Sequence, residues 1–92
     1  MSEVIVRLPP PLRTFADGKA ELRLPGATVG QVLSCLSDLH PGVGQRLFGP
    51  DNELRPYINI FHGERHIARL EGLATPVRPG DVVSIIPAVA GG

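Results

Sequence analysis

Apolar and polar positions alternate over Val4–Leu8, a stretch rich in β-branched residues, and Pro9-Pro10-Pro11 then removes three backbone donors in succession. The pattern predicts a first strand that stops at a rigid proline loop. Alternation returns over Lys19–Leu24, with Ala20, Leu22 and Leu24 on one face and Glu21 and Arg23 on the other, after the turn-forming pair Asp17-Gly18. Strands one and two are expected to pair as a hairpin. From Thr28 the period changes: Val29, Val32, Leu33, Leu36 and Leu39 recur at helical spacing, and Pro41-Gly42 ends the run. Thr28 and Gln31 stand three apart as a capping box requires, so the helix should begin there. A helix of about three turns cannot persist alone in water, and its apolar stripe needs a sheet to cover.

The remaining chain reads as shorter pieces. Val43 and Leu47 fit one short helix, followed by the loop chemistry of Gly49-Pro50-Asp51-Asn52. Tyr57–Phe61 is a strand, and Gly63 is placed to turn it into a shorter extended piece around Ile67. Gly72–Pro76 reads as a loop or helical turn. Pro79-Gly80-Asp81 is a turn feeding Val82–Ile86, the most continuously apolar run of the chain, which predicts a central strand buried on both faces or nearly so. The resulting order is strand, strand, helix, strand, short strand, strand. It predicts an α+β fold of the β-grasp (ubiquitin-like) type: a mixed sheet of about five strands packed on one main helix, with first and last strands as parallel central neighbours.

Composition narrows the classes open to such a domain. Leu, Ile, Val and Phe make up 29 of 92 residues, enough to fold, and the length suits one domain. Nine basic and nine acidic side chains give zero formal charge, which leaves no electrostatic footprint for nucleic acid or anionic membrane and points to protein partners. Cys35 is the only cysteine, so an internal disulfide and a CxxC site are excluded and a cytoplasmic setting fits. It lies at the edge of the helical stripe, roughly 95° from its centre, as a partly buried and inert thiol. His40, His62 and His66 lack a companion carboxylate or thiol at ligand spacing, so no metal site is expected. No apolar run approaches the length of a signal or membrane segment.

The chemistry is expected at the end of the sequence. Pro87 should close the last strand, dividing a domain at residues 1–87 from a flexible tail at 88–92: Ala88, Val89, Ala90, Gly91, Gly92. Five extended residues reach roughly 17 Å at most. Small, uncharged side chains and two glycines would let a narrow channel close around that backbone. A carboxylate on Gly92 is an anion at neutral pH and can attack the α-phosphate of ATP. The acyl adenylate so formed is open to a sulfur nucleophile, and the product thiocarboxylate is nucleophilic by the logic of a thiolate. No catalytic side chain in the domain is needed. The bland alternative is an idle terminus, as termini often are.

Gly80-Asp81-Val82-Val83-Ser84-Ile85-Ile86-Pro87-Ala88-Val89-Ala90-Gly91-Gly92 resembles the C-terminal signature of the ubiquitin-like sulfur carriers, the MoaD/ThiS family. Ile58-Asn59 is similar to that family's Val-Asn strand, and Arg13 falls where molybdopterin-synthase small subunits often carry an arginine. Tyr57–Phe61, Gly72-Leu73-Ala74-Thr75 and the last six residues most resemble the actinobacterial CysO-like carriers. Two departures separate it from other branches: Ala88 stands where molybdopterin-type members have a second proline, and the Gly42–Pro56 segment is missing from thiamine carriers.

The resemblance implies a sulfur carrier protein, a co-substrate and not an enzyme, with no bound cofactor and no catalytic residue of its own. ATP would be consumed by an E1-like adenylyltransferase/sulfurtransferase of the MoeB/ThiF type, acting at Gly92. Sulfur would travel as the C-terminal thiocarboxylate to a synthase: a cysteine synthase, a thiosugar synthase or a molybdopterin synthase large subunit. The resemblance also puts Arg13 and Ile86 at the partner surface, and Phe61 is an aromatic candidate there; for Ile86 and Phe61 the alternative is core packing. Other functions open to the same sequence are a modifier joined through Gly92 to lysines, a molybdopterin synthase small subunit, and a binding module that uses its sheet edge.

Overall fold

The computed structural model describes residues 3–88. Its elements follow in the order β1 (Glu3–Arg7), α1 (Pro10–Arg13), a 3-10 turn (Thr14–Ala16), β2 (Glu21–Pro25), α2 (Val29–Leu39), α3 (Pro41–Leu47), β3 (Ile58–His62), β4 (Arg65–His66), 3-10 turns at Ile67–Arg69 and Gly72–Ala74, and β5 (Val82–Pro87). The sheet order is β2-β1-β5-β3-β4. β1 pairs with β2 antiparallel and with β5 parallel, and β5 pairs with β3 antiparallel, so first and last strands are central neighbours as the pattern predicts. This is the β-grasp architecture.

Helix α2 begins where the capping pattern places it. The Thr28 hydroxyl accepts from the Gln31 amide at 3.2 Å, and Gln31 Oε1 accepts from the amide of Ala27, one residue before the cap, at 2.9 Å. Val29, Val32, Leu33 and Leu36 are fully covered by the sheet. Leu39 departs from the expected stripe: it sits off-centre in the last turn and is 60% exposed. Ala20 is likewise exposed, because β2 starts only at Glu21. The prolines after β1 build α1 instead of a loop, since Pro10 and Pro11 take the first helical positions, where no amide is needed and a fixed φ is an advantage.

Only one face of β5 is covered, contrary to the expectation from its apolar run. Val83 and Ile85 are buried against α2, whereas Ile86 on the other face is 47% exposed. The helices all lie on one side of a single sheet, so alternation decides burial even where the sequence does not alternate.

Two contacts pin the ends of the helical layer and of β5. Ser37 in α2 packs on Gly44 in α3 so closely that a methyl group on Gly44 would lie 2.6 Å from Ser37 Oγ. At the start of β5, Arg78–Asp81 form a type II turn: the Asp81 amide donates to the Arg78 carbonyl at 3.0 Å and Gly80 takes φ 87°. Asp81 Oδ2 meets His62 Nε2 at 2.7 Å and accepts from the Arg78 amide at 2.9 Å, tying the end of β3 to the root of β5. The His62 hydrogen bond, with help from that amide, holds the Asp81 carboxyl below its ordinary value of 3.8.

Two predictions follow from this packing. Gly44→Ala should lower stability by about 1–3 kcal/mol in urea unfolding, because the added methyl overfills the α2–α3 contact. Asp81→Asn should cost about 1 kcal/mol at neutral pH. A lowered folded-state value means stabilisation that is complete above the unfolded value and vanishes as pH falls through the folded one. The gap between wild type and Asp81→Asn should therefore close in acid, and a gap constant from neutral to acid pH would contradict the assignment.

Candidate functional site

The site is built where β5 leaves the sheet. Ile58 faces Pro87 in the β3–β5 ladder. Even-numbered β5 residues bond to the β3 side: the Val82 carbonyl accepts from Gly63 at 2.9 Å, and the Ala88 amide donates to the Tyr57 carbonyl at 2.6 Å. The nitrogen of Pro87 consequently faces the β1 side, where β1 has already ended at Arg7. Its missing donor costs no ladder bond. The hydrogen bond between Ala88 and Tyr57 clips the last described residue to β3.

Apolar surface collects around that exit. Among the described residues the exposed large hydrophobics are Leu39, Tyr57 and Ile86, and the last two flank Pro87. Pro11, Leu12, Tyr57, Ile58 and Pro87 line an apolar recess of about 220 Å³ with Arg46 on its rim. The Arg46 guanidinium is fixed in place, its carbon 3.5 Å from the centre of the Phe15 ring and Nη1 donating to the Gly42 carbonyl at 2.9 Å. A larger depression of about 540 Å³ lies beyond β4, between Glu64 and Glu71, but it is open to solvent and brings no reactive constellation together.

The uncovered face of the sheet is a second surface, on the other side of β5 from the recess. Register puts Ile5 beside Val82, Ser84 opposite Phe61, and Ile86 opposite Asn59, all on the side away from the helices. Phe61 and Ile86 thus share a face on neighbouring strands, and neither is core. Phe61 meets the His66 ring edge-on at 5.1 Å between centroids, and His66 Nε2 meets Asn59 Oδ1 at 2.9 Å. These bonds fix the side chains on the β3–β4 side of the patch.

Arg13 is placed differently. Its Nε donates to the Leu8 carbonyl at 3.1 Å, so the side chain clasps the connection from β1 to α1 and does not line the recess. Ala88 is exposed at the end of β5. Val89, Ala90, Gly91 and Gly92 lie outside the described residues. The sequence reading leaves Arg46 out, and it takes Tyr57 as a strand and resemblance residue without a place at the surface. The signal for Tyr57 was its being the only tyrosine, just before a strand; for Arg46 there was none, since its neighbour Phe15 is distant in sequence. Cys35 is half-buried against the core. Among the described residues no group of three His, Cys, Asp or Glu could hold a metal, and no helix is long and apolar enough to cross a membrane.

Comparison with known proteins gives these features a context. The model of the ThiS family matches residues 6–92. The chain is 36% identical over 91 residues to the sulfur carrier protein CysO of Mycobacterium tuberculosis, covering 97% of this chain and 98% of that one. It is 42% identical over 66 residues to small archaeal modifier protein 3 of Haloferax volcanii, covering 72% and 71% of the two chains. Among solved structures, the crystal structure of the Amycolatopsis orientalis BexX/CysO complex contains a chain that superposes with a TM-score of 0.88 at 34% identity, over 97% of this chain and 99% of that one.

Because Ile85 is core and Ile86 is surface, neighbouring substitutions should separate sharply. Ile85→Ala should cost about 2–5 kcal/mol in denaturant unfolding. Ile86→Ser should change stability by no more than about 0.5 kcal/mol.

Proposed function

This chain belongs to the ThiS family, and on that premise we propose that it is a sulfur carrier whose reactive group is the Gly92 carboxylate. It is a ubiquitin-like β-grasp protein of the sulfur-carrier and small-modifier group. An E1-like enzyme of the cytoplasm transfers AMP from ATP to the carboxylate and releases pyrophosphate. A sulfur nucleophile then attacks the acyl carbon, AMP leaves, and the thiocarboxylate delivers sulfur to a synthase making cysteine or another sulfur-containing metabolite. The carrier itself turns nothing over.

One observation carries this reading: the central strand ends at the Ala88–Tyr57 clip, amid exposed apolar surface, just ahead of the small-residue segment. The clip holds the Ala88 backbone in the β3–β5 ladder, so a partner gripping the body would find the last described residue at a fixed place. Ile86 and Phe61 on the uncovered face and the Arg46-rimmed recess on the helix side are the two surfaces such a partner would grip around the end of β5, and Arg13 supports the recess by holding α1 to β1. Similarity to CysO and to a CysO chain solved with BexX supports a protein acceptor of sulfur. Similarity to a small archaeal modifier supports a second reading, in which activated Gly92 is joined to lysines of other proteins.

Intact mass distinguishes the two. With the E1-like partner, ATP and sulfide, the chain should gain the mass difference between sulfur and oxygen, and removal of Gly92 should abolish the gain while leaving the thermal transition in place. Lysine-linked adducts without that gain would favour the modifier. Ile86→Asp should weaken association with the activating enzyme about tenfold or more in a titration, since it puts a charge at the centre of the apolar patch.

A further inference from the structure

Both ring nitrogens of His66 are engaged. Nδ1 lies 3.0 Å from the Ala68 amide, and Nε2 lies 2.9 Å from Asn59 Oδ1. A backbone amide only donates, so Nδ1 is the acceptor and carries no hydrogen; the Asn59 oxygen only accepts, so Nε2 carries it. The two contacts together admit one form of the ring, the neutral Nε2–H tautomer.

This ring joins two structures. Through Nδ1 it caps the 3-10 turn Ile67–Arg69. On its other side it holds Asn59 and packs edge-on against Phe61 at 5.1 Å between centroids. Register puts Asn59 opposite Ile86 and Phe61 opposite Ser84, so the half-buried imidazole positions the β3 side chains that stand opposite and diagonal to Ile86.

A proton added to this ring can go only to Nδ1, where it would meet the Ala68 amide donor to donor. The cap is then lost, and ring and turn must part. No neighbouring charge offsets this. His62 on β3, Arg65 on β4, and Glu64 and Glu71 line the depression beyond β4, whose lining does not include His66. His62 is bonded to Asp81 at the root of β5, and Arg69 at the end of the turn is exposed. Along the uncovered face, the charged group on the same rung is Arg7, two strands away and paired with Glu21. Among the described residues no carboxylate lies within ion-pair distance of His66.

We infer that His66 is a positioning residue for the uncovered face, and that it holds this face ready for the activating enzyme only while its ring is uncharged. This rests on the reading above, in which that enzyme grips Ile86 and Phe61. Imidazole changes its charge within the physiological range, so acid would release the partner. With only the neutral ring competent, apparent affinity follows the neutral fraction and falls toward tenfold for each pH unit once most rings are charged.

The test begins with the free chain. Nitrogen-15 spectra at about pH 8 should show the His66 hydrogen on Nε2 and none on Nδ1, and acidification to about pH 5.5 should shift and deprotect the Ala68 amide in step with that ring. Association of the intact chain with its E1-like enzyme is then titrated over the same range for wild type and His66→Asn. Asparagine keeps an oxygen acceptor for the Ala68 amide and does not titrate. Wild-type affinity should therefore fall at least tenfold further than that of the variant. A hydrogen on Nδ1 at the upper pH, an Ala68 amide indifferent to the ring, or the same profile in both chains would each overturn the inference. Sulfur loading alongside matching profiles would overturn it alone; absence of association at every pH would overturn the carrier reading and this inference with it.

Discussion

Everything in this molecule hangs on the pairing of β5 between β1 and β3. The parallel β1–β5 contact joins the first strand to the last, with the hairpin, α2, α3 and β3 between them in sequence. Such non-local pairing costs loop-closure entropy before it returns burial. The return is the layer of Val4, Val6, Val83 and Ile85 facing Val32, Leu33 and Leu36, all essentially inaccessible to solvent. The strand that closes the fold is also the last described strand, and it carries the Ala88–Tyr57 bond and the exposed Ile86.

Local patterning carried much of the architecture. The period-two run at Val4–Leu8, the Thr28–Gln31 cap and the Pro79-Gly80-Asp81 turn each correspond to an element in place, because each depends on neighbours in sequence. Misreadings arose where a third dimension decided. The apolar run Val82–Ile86 implies two covered faces, yet all helices lie on one side and Ile86 remains outside. Pro10 and Pro11 read as breakers but occupy the one part of a helix that suits them.

The site divides in the same way. The small-residue segment and its terminal glycines stand out in the sequence, but residues 89–92 lie outside the described residues. The surface around the end of β5 does not stand out. Arg46 reaches the rim of the recess because α3 folds back over Phe15, and Asn59 is held by His66 across a two-residue turn with Gly63 at φ 61°. Contacts between residues this far apart leave no periodic trace.

The Ala88–Tyr57 clip has a mechanical consequence. A partner that draws on the end of the chain pulls β5 along its own axis, so the load falls on its ladder bonds to β3 and β1 together, in shear. Bonds loaded in parallel share the force, whereas an edge strand peeled sideways would surrender them one at a time. Placing β5 in the middle of the sheet makes the domain resistant to a pull along that strand.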